Sequence, residues 1–192
     1  MKLGKLLLAV VGATVLLGAL VGSASARNLS VSSVTTRLIF SSMYSGGFGT
    51  VTCDRVYETT YHSRTSTKTA GTLLGYITAG NVTRCSRGGA TIDRGTLPWH
   101  RRYESFTGTL PNILTQSELV SGASWRIREP TFGITCQVTG ATVRDTYTLT
   151  GGTVTRADVS GTAPCSGING TLSGSTTNVE NMTGGRITIT LI

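Results

Sequence analysis

Val51-Thr52-Cys53-Asp54-Arg55-Val56-Tyr57-Glu58-Thr59-Thr60-Tyr61 decides the fold. Val51, Cys53, Arg55, Tyr57, Thr59 and Tyr61 share one parity, while Thr52, Asp54, Glu58 and Thr60 take the other. Successive side chains on a strand point to opposite faces, so period two in a run rich in β-branched and aromatic residues describes a half-buried strand. The pattern recurs in Val34, Thr36, Leu38 and Phe40, in Phe132, Ile134, Cys136 and Val138, and in Ile187, Ile189 and Leu191. Threonine, abundant between these positions, suits solvent-facing strand sites. Glycine pairs at 46–47, 88–89, 151–152 and 184–185 punctuate the runs as turns. These signals predict an all-β chain, an antiparallel β-sandwich or flattened barrel.

One stretch departs from the pattern. Ala70, Leu73, Leu74 and Ile77 fall at helical spacing and predict a short helix over 67–79, capping one end of the sandwich or covering an edge strand. Gly71, Gly75 and Gly80 weaken it, by about 1 kcal/mol for each interior position. The Gly/Ser/Thr-rich run 166–178 reads as a loop or edge strand.

Of 192 residues, 39% are hydrophobic and 14% charged, which excludes a disordered tail. Glycine has no three-residue period, which excludes collagen, and the length implies one domain. Residues 1–26 read as a secretory signal peptide, with Lys2 and Lys5, an apolar run from Leu6 to Val21, and Ala24-Ser25-Ala26 before the cleavage point. The run is shorter than the roughly 20 residues that span a bilayer. A single domain, 27–192, is therefore expected outside the cell or in the cell envelope, with no membrane anchor after cleavage. It carries 15 basic and 9 acidic residues, and the excess falls entirely in 27–109. Such a half suits an anionic partner, although an incidentally basic surface gives the same count. The arginine bias, with Lys68 the one lysine left, points to a GC-rich bacterial genome.

Four cysteines in an exported chain favour two disulfides over a zinc site, since no C-x-x-C spacing occurs. Of three connectivities, Cys53–Cys85 and Cys136–Cys165 are preferred because their surroundings echo one another. Val51-Thr52-Cys53 resembles Ile134-Thr135-Cys136, and Cys85-Ser86-Arg87-Gly88 resembles Cys165-Ser166-Gly167. A duplicated half with one staple each would produce this.

Chemistry-bearing motifs are sparse. His62 and His100 are the two histidines, and there is no G-x-S-x-G, H-E-x-x-H or phosphate-cradling glycine motif. Asp54-Arg55, Asp93-Arg94, Arg128-Glu129 and Arg144-Asp145 put adjacent charges on opposite strand faces, which reads as ordinary solvated charge rather than a carboxylate pair for glycoside cleavage. Asn-x-Ser/Thr sequons start at Asn28, Asn81, Asn169 and Asn181. The expectation is no enzyme, no cofactor and no metal.

The strongest local feature is Leu97-Pro98-Trp99-His100-Arg101-Arg102-Tyr103-Glu104-Ser105-Phe106. On a strand Trp99, Arg101 and Tyr103 share one face. Exposed, they would offer two aromatic platforms beside a guanidinium, a binding surface for sugar rings or an anionic polymer. Buried, Trp99 and Tyr103 would be core. The Leu97-Pro98-Trp99-His100 unit, followed by Tyr103, Ser105-Phe106 and 108–113, resembles a family of uncharacterised secreted proteins from high-GC actinobacteria. The resemblance runs across most of the exported chain and includes the four cysteines. It implies an exported all-β protein and brings no activity with it.

The leading expectation is a non-enzymatic secreted or cell-envelope protein binding an anionic envelope polymer or a carbohydrate through Trp99, Arg101 and Tyr103. No nucleic acid is expected. The alternatives are a structural or protein-interaction domain, and a hydrolase built around His62 or His100.

Overall fold

The computed structural model describes residues 28–47, 49–109 and 112–192. The expected signal segment 1–26 lies outside the described residues. The strands are β1 (Asn28–Val31), β2 (Thr35–Gly46), β3 (Gly49–Tyr61), β4 (Thr65–Thr67), β5 (Leu73–Arg87), β6 (Gly89–Ile92), β7 (Trp99–Thr109), β8 (Asn112–Arg128), β9 (Thr135–Thr150), β10 (Thr153–Thr162), β11 (Gly170–Thr176), β12 (Val179–Asn181) and β13 (Ile189–Leu191).

β2, β3, β5, β7, β8, β9, β10 and β11 each pair antiparallel with the next, and β11 returns to pair with β2. The sheet thus closes into a flattened, sandwich-like barrel. Closure removes the edges that an open sheet would expose. β12 continues along β2, and β6 along β8. A small sheet, β13–β1–β4, lies at one end, where Val31 N–H donates to the Arg64 carbonyl at 2.8 Å and Ile189 N–H to the Gly152 carbonyl at 2.8 Å. Its Leu29, Val31 and Ile189 are buried and close that end.

The alternation read from the sequence is the inside–outside alternation of the barrel. Val51, Cys53, Arg55, Tyr57, Thr59 and Tyr61 are buried along β3, as are Thr36, Leu38, Phe40, Ser42 and Tyr44 along β2. The opposite parity carries threonine, serine and charge into solvent, including the Arg37–Glu58 and Arg84–Asp54 pairs. Phe40, Tyr57, Trp99, Trp125 and Tyr44 cross the interior as a chain of ring contacts, with centroids between 5.7 and 6.4 Å apart.

Both predicted disulfides are present, Cys53–Cys85 and Cys136–Cys165. Cys53 and Cys85 are direct partners across β3 and β5. Taking β2–β3–β5–β7 and β8–β9–β10–β11 as halves, each staple ties the start of the second strand to the end of the third or just beyond it. Both lie at the barrel end opposite the small sheet. The echo in sequence thus has a counterpart in topology.

Two expectations are corrected. No helix spans 67–79. Thr67 ends β4, Gly71 takes a left-handed turn at φ 85°, and Leu73 begins β5. The helical stripe loses because Ile77 and its neighbours gain a ladder on both sides, from β3 and β7, while glycines leave an isolated helix little intrinsic stability. The helical element among the described residues is a single 3-10 turn, Arg94–Thr96, capped by Asp93 Oδ1 accepting from Gly95 N–H at 3.1 Å. The run 166–178 holds β11, which is the closing strand rather than an edge.

Gly75 marks the tightest approach of β5 to β3. A Cβ there would stand 2.2 Å from the Thr60 carbonyl oxygen and 2.6 Å from Tyr61 Cα, both backbone atoms that cannot swing aside. Gly75→Ala is expected to lower the melting temperature markedly in a thermal scan. A variant that melts with the wild type would mean the two strands separate without loss.

Candidate functional site

The face expected to bind is inside the barrel. Trp99, Arg101 and Tyr103 are 1%, 0% and 3% exposed. The alternation placed them together correctly, but on the inner side, because β7 is flanked by β5 and β8 and its other parity carries His100 and Arg102 outward. Trp99 Nε1 donates to Thr96 Oγ1 at 2.9 Å, and its ring packs between Tyr57 and Trp125. These three residues therefore form no surface platform.

Arg101 anchors a buried polar cluster. Its guanidinium pairs with Asp145 and, at 3.3 Å, with Glu118, and it donates to the Tyr147 hydroxyl and to the Tyr61 hydroxyl at 3.3 Å. Gln116 Nε2 donates to Glu118 Oε1 at 2.7 Å. Glu118 and Asp145 stand directly opposite on β8 and β9, where like charges repel. Burial pushes the Glu118 carboxyl upward against the pull of Arg101. Burial and the Glu118 charge push Tyr61 up to about 12, opposed by Arg101. Burial works against the Arg101 charge, yet Tyr147, Glu118 and Tyr61 together raise its pKa above the ordinary arginine value. The cluster is buried and organises the interior.

The expectation of ordinary solvated charges fails at three of the adjacent pairs. Asp54 and Arg144 do point outward, but their neighbours Arg55 and Asp145 are buried, and so is Glu129. Glu129 accepts from Phe132 N–H at 2.8 Å and pairs with Arg87 at 3.4 Å. Burial opposes its ionisation, and the hydrogen bonds from Phe132, Thr131 and Arg87 outweigh burial and hold the carboxyl below its usual range. The parity of each residue was visible in the sequence. That these charges occupy the inward parity was also visible, and it was the signal to weigh.

The outer surface brings together residues the sequence kept apart. On β5, Tyr76 lies between His62 and His100, with ring centroids at 4.9 and 5.3 Å. Both histidines are exposed and Tyr76 is half-buried. Thr60, the cross-strand partner of Tyr76, has its hydroxyl 3.4 Å from that of Thr78. Thr78 lines an open groove of about 350 Å³ together with Glu58, Asn81, Arg94 and Leu97. Glu58 is held by Arg37 at 3.0 Å. Arg94 donates to Asn81 Oδ1 at 3.2 Å and has no carboxylate within ion-pair distance among the described residues. The groove thus presents a cation, an amide, a hydroxyl and the Arg37-paired carboxylate of Glu58, while Tyr76 stands two residues before Thr78 on β5, outside the lining. By contrast, cavities inside the barrel measure about 20 and 10 Å³, against the several hundred that a small organic ligand fills.

Comparison with known proteins finds no matching family model, no matching curated protein and no matching solved structure.

Two outcomes follow from the buried face. Trp99→Ala is expected to lower stability by about 3–5 kcal/mol, the cost of a large aromatic cavity, and Arg101→Ala by about 3–5 kcal/mol, because two buried carboxylates lose their cation. Denaturant titration checks both, and near-wild-type midpoints would return this face to the surface. Glu118 gives a pH signature. A carboxyl raised on folding contributes stability that is full below its unfolded pKa and is lost as pH rises through the folded one. Glu118→Gln cannot ionise, so its stability should gain on the wild type as pH increases. Parallel stability–pH curves for the two proteins would reject the assignment.

Proposed function

We propose that the protein is an exported, non-enzymatic binder of an anionic carbohydrate, and that the ligand lies in the outer groove along β3 and β5. The observation that carries this reading is the groove itself, with Arg94, which has no carboxylate partner among the described residues, in its wall; the His62–Tyr76–His100 ladder lies further along β5. A sugar ring stacks on an aromatic face, its hydroxyls take amide and hydroxyl partners, and an acidic substituent finds a guanidinium. The filled interior supports an external site, since it leaves no room for a carbohydrate. Two disulfides are compatible with an oxidising, extracellular setting. The signal-like pattern of residues 1–26 supports export.

The protein-interaction reading has its own observation. At the disulfide-stapled end, Phe132 is 67% exposed on the β8–β9 loop and Ile168 is 38% exposed on the β10–β11 loop. Two apolar side chains make a small contact, and the groove offers the more developed chemistry.

The test is retention on polyuronate and on a neutral glucan at rising salt. The acidic polymer should hold the protein more strongly, and the difference should shrink as salt screens exposed charge. Arg94→Ala should weaken binding by about tenfold, the worth of roughly 1.4 kcal/mol, and Tyr76→Ala should weaken it on both matrices. Neither should change the melting temperature. Equal, salt-insensitive retention on both polymers would dismiss the reading.

A further inference from the structure

Arg55 is the second arginine inside the barrel, and nothing described above uses it. It is 4% exposed. The ring of Tyr57 lies 5.6 Å from its guanidinium carbon and that of Trp125 5.7 Å. Among the described residues no carboxylate pairs with it; the guanidinium acts on the Tyr57 hydroxyl by charge and hydrogen bond, while its Nε and Nη2 make no hydrogen bond to protein. Arg55 and Tyr61 are six residues apart on β3, roughly 20 Å along the strand at about 3.3 Å per residue. Tyr61 contacts Glu118, so that carboxylate sits at the distant level; Asp145 lies nearer, bordering a cavity with Tyr57 and Trp125, but it is paired with Arg101. A buried cation left uncompensated is among the least favourable arrangements in a protein interior.

Arg55 lines a cavity of about 20 Å³ inside the barrel, shared with Ser42, Tyr44, Cys53, Trp125, Ile127 and Leu172, and the Tyr44 hydroxyl is engaged with the Ala163 carbonyl. Ser42 Oγ and Trp125 Nε1 are also buried and also without a hydrogen-bond partner. Three residues that line one small space thus each carry a buried donor without a hydrogen bond. An occupant that only accepts, and carries negative charge, satisfies them together. The space holds one occupant of about the size of a water molecule, too small for sulfate, phosphate or a carboxylate.

We propose that the barrel binds a single halide ion, chloride, at Arg55, held by the guanidinium with Ser42 and Trp125 as further donors. The ion neutralises the buried charge and stabilises the half of the barrel that the disulfides staple. The site is separate from the outer groove and from the Arg101 cluster.

The experiment uses the intact protein. Crystals grown or soaked in bromide should show an anomalous peak within hydrogen-bond distance of Arg55 Nε or Nη2. In solution, the melting temperature should rise with the logarithm of chloride concentration, as expected for a ligand bound by the folded state alone, and should stay flat in gluconate of equal ionic strength. Arg55→Met should remove the difference between the anions. No bromide peak at Arg55, or equal melting in chloride and gluconate, would overturn the proposal, and both readings need only the wild-type protein should the variant fail to fold.

Discussion

The ion cluster around Arg101 is the constraint on which the barrel depends. Glu118 and Asp145 are cross-strand partners on β8 and β9, and without a cation their mutual repulsion would oppose the pairing of those strands. Arg101 arrives from β7 and meets both. Tyr61 from β3 and Tyr147 from β9 complete the contacts. The cluster therefore links β3, β7, β8 and β9 through side chains as well as through the ladder. It also fixes register. A slip of one residue would turn Glu118 or Arg101 outward and leave its partner buried and unpaired. A threonine-rich barrel, whose outer face tolerates many registers, gains its specificity from this interior demand.

Filling the barrel has a functional consequence. Trp99, Trp125, Tyr57, Phe40 and Tyr44 occupy the space in which a larger barrel would hold a ligand. Recognition of anything larger than an ion is thereby moved to the outer surface. There the register that serves the core also sets the surface. The same pairing of β5 with β7 that buries Ile77 against Trp99 places Tyr76 beside His100. Inner packing and outer ladder are two faces of one alignment.

The period-two pattern on β3 made the all-β fold legible, and local echoes around Cys53, Cys85, Cys136 and Cys165 made the pairing legible. The stretch 67–79 was misleading because Leu73, Leu74 and Ile77, at helical spacing, also satisfy a strand with a register shift, as occurs between Leu73 and Gly75, while Ala70 falls in the turn before it. Only the neighbours β3 and β7 decide between them. The groove was illegible for a similar reason. His62, Tyr76, Asn81, Arg94 and His100 span four segments of chain, and no local spacing announces that a barrel will bring them together. For Trp99, Arg101 and Tyr103 the shared face was readable, but its direction was not, since parity alone does not say which side is the core.

Arg55 and Arg101 show what parity leaves undetermined. Each sits at an inward position of a strand, each beside aromatic rings, and each is fully enclosed. Arg101 finds its counter-charges in the chain, on β8 and β9, one and two strands away. Arg55 lies toward the stapled end, where its guanidinium meets the rings of Tyr57 and Trp125 and shares a cavity with Cys53, Val51 and Ile127 rather than with acids. An interior that supplies carboxylates to one arginine and only neutral hydroxyls and aromatic rings to the other divides its polar chemistry by level. At the level of Arg101 the charge is balanced within the fold and serves to align strands. At the level of Arg55 the balance has to come from outside the chain, which turns a packing position into a binding one.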